Sequence, residues 1–129
     1  MYPRTPAEAA HHVFAYGTLV DPRCLDEVLG HTHRGERFAA RLRGWSRVTS
    51  RSYPYPYIVE APGEVVDGIL VMDLSPVDVE ALDRYEEVDS GIYRRQPVEV
   101  EALGCGARPI YVRANAYVAG PALVASTSI

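Results

Sequence analysis

Two carboxylates, Glu86 and Glu87, close the segment Leu82-Asp83-Arg84-Tyr85-Glu86-Glu87, and a turn, Tyr16-Gly17-Thr18-Leu19, stands near the start of the chain. Between them these residue types offer a proton acceptor and a row of backbone donors, which is the equipment of an enzyme. Ser75 suits a helix N-cap, Pro76 the first helical position, and Asp78 completes a capping-box pattern, so a helix is predicted to begin near residue 76. On it Val77, Val79, Ala81, Leu82 and Tyr85 form an apolar arc, with Glu80, Arg84 and Glu87 opposite in solvent. Glu86 falls between Val79 and Leu82, on the inward side. A carboxylate there must be desolvated, paired or placed over a cavity, and desolvation raises its pKa toward the range useful for proton transfer at neutral pH. The competing expectation is a helix that frays after Tyr85 and leaves both glutamates hydrated.

The element that must supply the donors is the apolar run Val13-Phe14-Ala15-Tyr16, a short buried strand that Gly17-Thr18 stops. Gly17 has no Cβ, so a ligand can approach the main chain. Asp21-Pro22 then reads as N-cap and first residue of a helix ending before Gly30. The amides of Gly17, Thr18 and Leu19 fall in the turn between strand and helix, where unpaired donors can bind a carboxylate or oxyanion, or where the turn is only a turn.

Both motifs, in this order, resemble the γ-glutamyl cyclotransferase-like proteins, and in particular their γ-glutamylamine cyclotransferase-like branch. The likeness extends through Leu42-Arg43-Gly44-Trp45, Tyr55-Pro56, Val65-Val66-Asp67-Gly68-Ile69-Leu70, Gly91-Ile92-Tyr93-Arg94-Arg95 and Ala116-Tyr117-Val118, covering most of the chain. It implies a compact β-barrel with a few helices and a cavity for a γ-glutamyl group. It further implies that Tyr16, Gly17, Thr18 and Leu19 bind the substrate's α-carboxylate and neighbouring atoms, that Glu86 is the catalytic acid/base, and that Tyr117 lines the pocket. One departure stands out: many members place Gly directly after the glutamate, whereas this chain has Glu87. That residue is expected to point outward and alter the helix exit, or to raise the pKa of Glu86 further, or to stand in for it.

The chemistry implied is an intramolecular acyl transfer. Glu86 takes a proton from the substrate's α-amino group, the nitrogen attacks its own γ-carbonyl, and 5-oxoproline forms as the proton is returned to the departing amine. No metal or cofactor is required, because the nucleophile is already tethered. Two other readings stay open: a binding module that keeps the cavity without catalysis, and a biosynthetic tailoring enzyme that removes a γ-glutamyl group. The amine leaving group is not legible, since loops such as 53 to 57 and 88 to 92 set that side.

The remaining residues bound the problem. A chain of 129 residues with 47% hydrophobic content makes a single domain, 1–129, with residues 1–11 expected as a mobile tail. A net charge of −4 disfavours nucleic acid as a partner, and the arginines at 34, 37, 41, 43, 47 and 51 read as the solvated face of a strand or a site for an acidic substrate tail. Cys24 and Cys105 form no metal or redox motif and are expected as reduced thiols in a cytoplasmic protein, with no membrane span. His31-Thr32-His33 could donate two metal ligands but has no accompanying cluster, so a surface loop is the expectation. Nine tyrosines supply hydroxyls for polar substrate atoms, and the prolines in Tyr53-Pro54-Tyr55-Pro56-Tyr57 mark a loop or edge.

The predicted order is strand 13–16, helix 22–29, strands near 37–50, a Pro-rich loop, strand 65–74, and the helix carrying Glu86. Val98, Val100 and Ala102 then alternate with Glu99 and Glu101, and Gly104-Cys105-Gly106 turns that strand back into 109–118. Residues 122–129 look like a loosely held end. Strand dominance with two helices makes the fold class α+β, a small mixed β-barrel flanked by a few short helices. Oligomeric state is not readable.

Overall fold

The computed structural model describes residues 11–51, 53–103 and 108–127. Five strands, β1 (His11–Ala15), β2 (Arg37–Val48), β3 (Tyr57–Leu74), β4 (Tyr93–Ala102) and β5 (Ile110–Ala119), close into a barrel in the order β1-β3-β2-β4-β5. Four seams are antiparallel, and β1 lies parallel to β5 through Val13↔Asn115 and Phe14↔Ala116. Three helices, α1 (Pro22–Leu29), α2 (Pro76–Tyr85) and α3 (Pro121–Thr127), accompany it. The α+β mixed barrel expected from the residues is therefore the observed fold.

Strand alternation produces two cores. Phe14, Leu42, Val66, Leu70, Val100, Ala116 and Val118 pack together inside the barrel. Val13, Ala15, Val71, Tyr117 and Ala119, from the other face of the same strands, pack with Leu25, Val79, Leu82 and Leu123 of the helices. Gly68 lets β1 and β3 approach: a Cβ there would strike the Ala15 carbonyl oxygen and come within 2.7 Å of Phe14 Cζ. The exposed strand arginines follow expectation, with Arg41 on Asp67 at 3.4 Å and Arg43 on Glu101 at 3.3 Å.

Local signals set the helices. Asp21 caps α1 by accepting from the Arg23 amide at 2.9 Å, and α1 stops at Gly30. In α2, Ser75 Oγ accepts from the Asp78 amide and Asp78 Oδ2 from the Ser75 amide, both at 3.0 Å, completing the predicted capping box.

Several expectations need correction. His11 and His12 belong to β1 rather than to a tail, because their backbone pairs along β3 and His12 Nδ1 accepts from the Asp73 amide at 3.1 Å. Residues 1–10, Cys105 and the turn at 104–106 lie outside the described residues. Residues 121–127 form α3, pinned by the Ala122 amide on the Gly91 carbonyl and by burial of Leu123. Tyr57 opens β3 instead of ending the loop, since its ring enters the core beneath the helices. Glu101 is buried, covered by Arg43, where alternation placed it in water.

The apolar arc of α2 also shifts. Val77 is 70% exposed and Tyr85 42% exposed, while Asp78, Val79 and Leu82 are buried. Asp78 can occupy the inner side because Ser75 and His31 satisfy it, His31 Nε2 lying 2.6 Å from Asp78 Oδ1. This pairing raises the His31 pKa. Burial alone would raise that of Asp78, but the Ser75 amide and His31 outweigh it and hold it below the usual range. His31 thus serves the helix start, and no cluster able to hold a metal occurs among the described residues.

Two substitutions test this framework. Gly68→Ala should lower stability by about 1–3 kcal/mol in urea unfolding, because the displaced atoms are backbone and a packed ring. Glu87 has φ 52°, in the left-handed region that disfavours a side chain. Glu87→Gly should therefore raise stability by about 1 kcal/mol.

Candidate functional site

The row Asp78–Leu82–Glu86 repeats every fourth residue and so lies on one face of α2. Asp78 and Leu82 are buried on that face, which carries Glu86 inward with them. The helix ends at Tyr85, as the fraying alternative supposed. Glu86 nonetheless stays on the spiral as C-cap, with φ −84°, ψ 3° and its amide 2.8 Å from the Leu82 carbonyl. Its side chain is therefore not left in open water. Burial pushes its carboxyl up from the ordinary glutamate range to about 7.

Glu86 borders a cavity of about 250 Å³ that is also lined by the loop after β1. Tyr16, Gly17, Thr18, Leu19 and Tyr117 all line it, so the residues that the resemblance names share one space, whereas His31, His33 and the strand arginines lie outside it. The loop continues into a short 3₁₀ turn, Thr18–Val20, whose hydrogen bonds run from the amides of Val20 and Asp21 back to the carbonyls of Gly17 and Thr18. Among the described residues no main-chain carbonyl accepts from the amides of Gly17, Thr18 or Leu19. A Cβ on Gly17 would meet only the Pro56 ring, at 3.5 Å. Thr18 Oγ1 and the Tyr85 hydroxyl share a hydrogen bond of 2.8 Å, which ties this loop to the residue preceding Glu86.

The walls are aromatic. Tyr16, Tyr53, Tyr55, Tyr85, Tyr93 and Tyr117 all contribute, but most of their hydroxyls already serve the protein. Tyr16 donates to the Tyr117 carbonyl, Tyr93 to the Pro56 carbonyl at 2.7 Å, and Tyr117 to Asp83 Oδ1 at 2.7 Å. Arg95 holds the other Asp83 oxygen at 3.3 Å. Burial pushes the phenols of Tyr16, Tyr93 and Tyr117 far up, so they remain protonated donors in fixed positions. Their rings shape the cavity, while their hydroxyls lock its walls.

Sequence reasoning missed Phe14, Tyr85 and Tyr93 as lining residues and Asp83 and Arg95 as the support of Tyr117. Tyr85 projects about 100° round the helix from Glu86, so its place on the cavity lining could not be read from adjacency. The Asp83–Tyr117 contact spans 34 residues and has no local signature. Cys24 is a half-buried free thiol with Sγ 3.9 Å from the Tyr85 hydroxyl. Among the described residues no helix is long and apolar enough to cross a membrane.

Comparison with known proteins agrees with this fold. The chain is 29% identical over 91 residues to Protein AIG2 C of Arabidopsis thaliana, covering 70% of this chain and 52% of that protein. It is 33% identical over 98 residues to AIG2-like protein A of the same plant, covering 72% and 58% respectively. The chain thus spans little more than half the length of these curated relatives. A solved structure titled "Gamma-glutamyl cyclotransferase" shares the fold with a TM-score of 0.69 at 20% identity, over 86% of this chain and 67% of that one. The family model described as "Gamma-glutamyl cyclotransferase, AIG2-like" matches residues 13–128, nearly the whole chain from β1 to α3, and the protein belongs to that family.

Proposed function

We propose that the protein is a cofactor-independent γ-glutamyl cyclotransferase of the cytoplasm, releasing 5-oxoproline and a free amine from a small-molecule γ-glutamyl substrate. The observation that carries this reading is a carboxyl that burial raises to about 7, on the lining of a cavity of about 250 Å³ shared with Gly17, Thr18 and Leu19, from whose amides no main-chain carbonyl accepts among the described residues. The volume suits a glutamyl group better than a large ligand. The amides of Gly17, Thr18 and Leu19 hold the α-carboxylate, and the rings of Tyr16 and Tyr117 confine the methylene chain.

Glu86 acts in both halves of the reaction. As carboxylate it removes a proton from the α-amino nitrogen while that nitrogen bonds to the γ-carbon. As carboxylic acid it protonates the amide nitrogen while the γ-carbon–nitrogen bond breaks. One proton enters and one leaves, so the enzyme returns to its starting state without water. A group whose pKa lies near 7 is suited to both directions of transfer. Holding the nucleophile and carbonyl in contact supplies much of the acceleration, as expected for a tethered attack.

Glu86→Gln should lose about 10²–10⁴ in kcat, measured as 5-oxoproline release, while still binding the intact substrate in calorimetry. Retained turnover in that variant would move the base elsewhere, and a wild type that binds but never turns over would leave only a binding protein. The same variant carries a stability signature. A carboxyl raised from its unfolded value to about 7 in the fold destabilises the folded state as pH climbs from the unfolded pKa through 7. Glu86→Gln should thus be more stable than wild type at pH ~8, by on the order of 2–3 kcal/mol, with the gap closing near pH ~4.

The pH profile follows with the opposite sign. Because the ionised form starts the reaction, kcat/KM should rise with pH through an apparent pKa of about 7 and then level off until another group titrates. A flat profile across that range would separate the rate from Glu86.

A further inference from the structure

Between β2 and β4 only Ala40↔Ala102 and Arg41↔Glu101 pair, and the ladder then stops although both strands continue. The local backbone explains the gap. β2 carries a bulge at Gly44, whose φ of 88° favours glycine, and its register against β3 shifts there. On β4 stands Pro97, a residue that sheets confine to edges and bulges. The bulge breaks the line that an added peptide strand would follow, so what remains between the strands is a slot fit for a small molecule.

That slot is a cavity of about 510 Å³, against about 250 Å³ at Glu86, and the two share no lining residue. Its size lies within the range of small-molecule sites, about 300–1,000 Å³. Its buried lining is apolar and aromatic: Leu42, Trp45 and Val98 belong to the barrel core, while Tyr111, 58% exposed, adds a second ring.

The charges around it are uneven. Arg43 Nη2 lies 3.3 Å from Glu101 Oε2, and Arg41 Nε lies 3.4 Å from Asp67 Oδ1, so each lining arginine already has a carboxylate. Glu60 and Glu99 also border the slot, are exposed, and make no ion pair among the described residues. Arg113, opposite Glu99 on β5, and Arg47 lie outside the lining. Two carboxylates are thus left without a cation beside two aromatic rings. An anionic ligand would have to draw an arginine from its existing partner.

We propose that this slot is a second ligand site and takes small organic monocations, with an ammonium beside Glu60 and Glu99 and an apolar or aromatic body against Trp45 and Tyr111. The carboxylates attract the ammonium, aromatic rings accept it at their faces, and burial of the apolar body adds to both. No bond is exchanged here. None of the residues assigned to cyclotransfer takes part, so the site stands whether or not that reaction does.

Trp45 is the only tryptophan in the chain, so its indole N–H gives a single resonance that reports on this slot. Isotopically labelled protein is titrated with phenethylamine, with phenethyl alcohol, neutral and of the same length, and with hydrocinnamate, which is anionic. The amine is expected to shift the Trp45 indole and the amides of residues 42–45 and 98–101, and to leave those of Gly17, Thr18 and Leu19 in place. It should bind roughly fivefold to tenfold more tightly than the alcohol, with the anion weakest. Added salt should erode that advantage. In the double variant Glu60→Gln, Glu99→Gln, both at exposed positions, the amine's advantage should fall below about twofold while the alcohol's affinity holds. No saturable shift of the Trp45 indole, shifts confined to the Glu86 cavity, an alcohol or anion that binds as well as the amine, or an advantage that the double variant keeps overturns the proposal.

Discussion

Keeping the Glu86 carboxyl out of water is the constraint to which the rest of the site answers. A carboxyl whose pKa is raised to about 7 by burial has given up favourable solvation, a cost on the order of 3 kcal/mol when ionised. The helix carrying it must therefore be anchored by other residues on the same face. Leu82 and Val79 do so from the core, at roughly 1.5–3 kcal/mol each for full burial of such side chains. The capping box of Ser75 and Asp78, reinforced by His31, secures the opposite end. Tyr85 and Asp83 fasten the last turn to two different strands' neighbourhoods, through Thr18 and Tyr117. The helix that ends in this carboxyl is thus held at both ends and along one side.

The barrel makes this geometry possible because each strand is used twice. Phe14 fills the interior while Val13 and Ala15 face the helices, and the chain leaves β1 directly into the cavity-lining loop at Gly17 to Leu19. Parallel pairing of β1 with β5 sets Val13 and Phe14 beside Asn115 and Ala116, which brings Tyr117 alongside Tyr16. The Gly17–Leu19 loop and Glu86, both on the cavity lining, therefore come from segments about 70 residues apart, joined by strand register.

Legibility followed range. Capping at Asp21 and at Ser75 depends on neighbours within three residues, and both helices start where those residues place them. The inward position of Glu86 was also legible, because a four-residue repeat from Leu82 survives even though the helix proper ends one residue earlier. Apolar type misled at Val77 and Tyr85, where residue chemistry and direction disagree: Asp78 takes the inner place because long-range pairing with His31 satisfies it. Glu101 and α3 failed for a similar reason, since burial of one depends on Arg43 and docking of the other on Gly91 and Ile92. The tyrosines were legible as a group, but the protein partners of Tyr16, Tyr93 and Tyr117 were not, as they lie far away in sequence.

Adjacent glutamates at 86 and 87 end with opposite physics. Glu86 continues the helical spiral, enters the cavity and loses water, whereas Glu87 adopts φ 52°, turns the chain and stays exposed. Reversal of the chain at this point is what lets Val88 and Gly91 return toward β4, through the Val88 amide on the Asp83 carbonyl and the Gly91 amide on the Val88 carbonyl. One residue thus carries a solvation cost and the next a conformational cost, both at the rim of the same cavity. Neither cost is required to close a barrel, since the strands pair without them. The other left-handed residue that is not glycine, Asp73 at φ 60°, lies in β3 and outside the cavity lining, so backbone strain alone does not mark this opening; the solvation cost at Glu86 does.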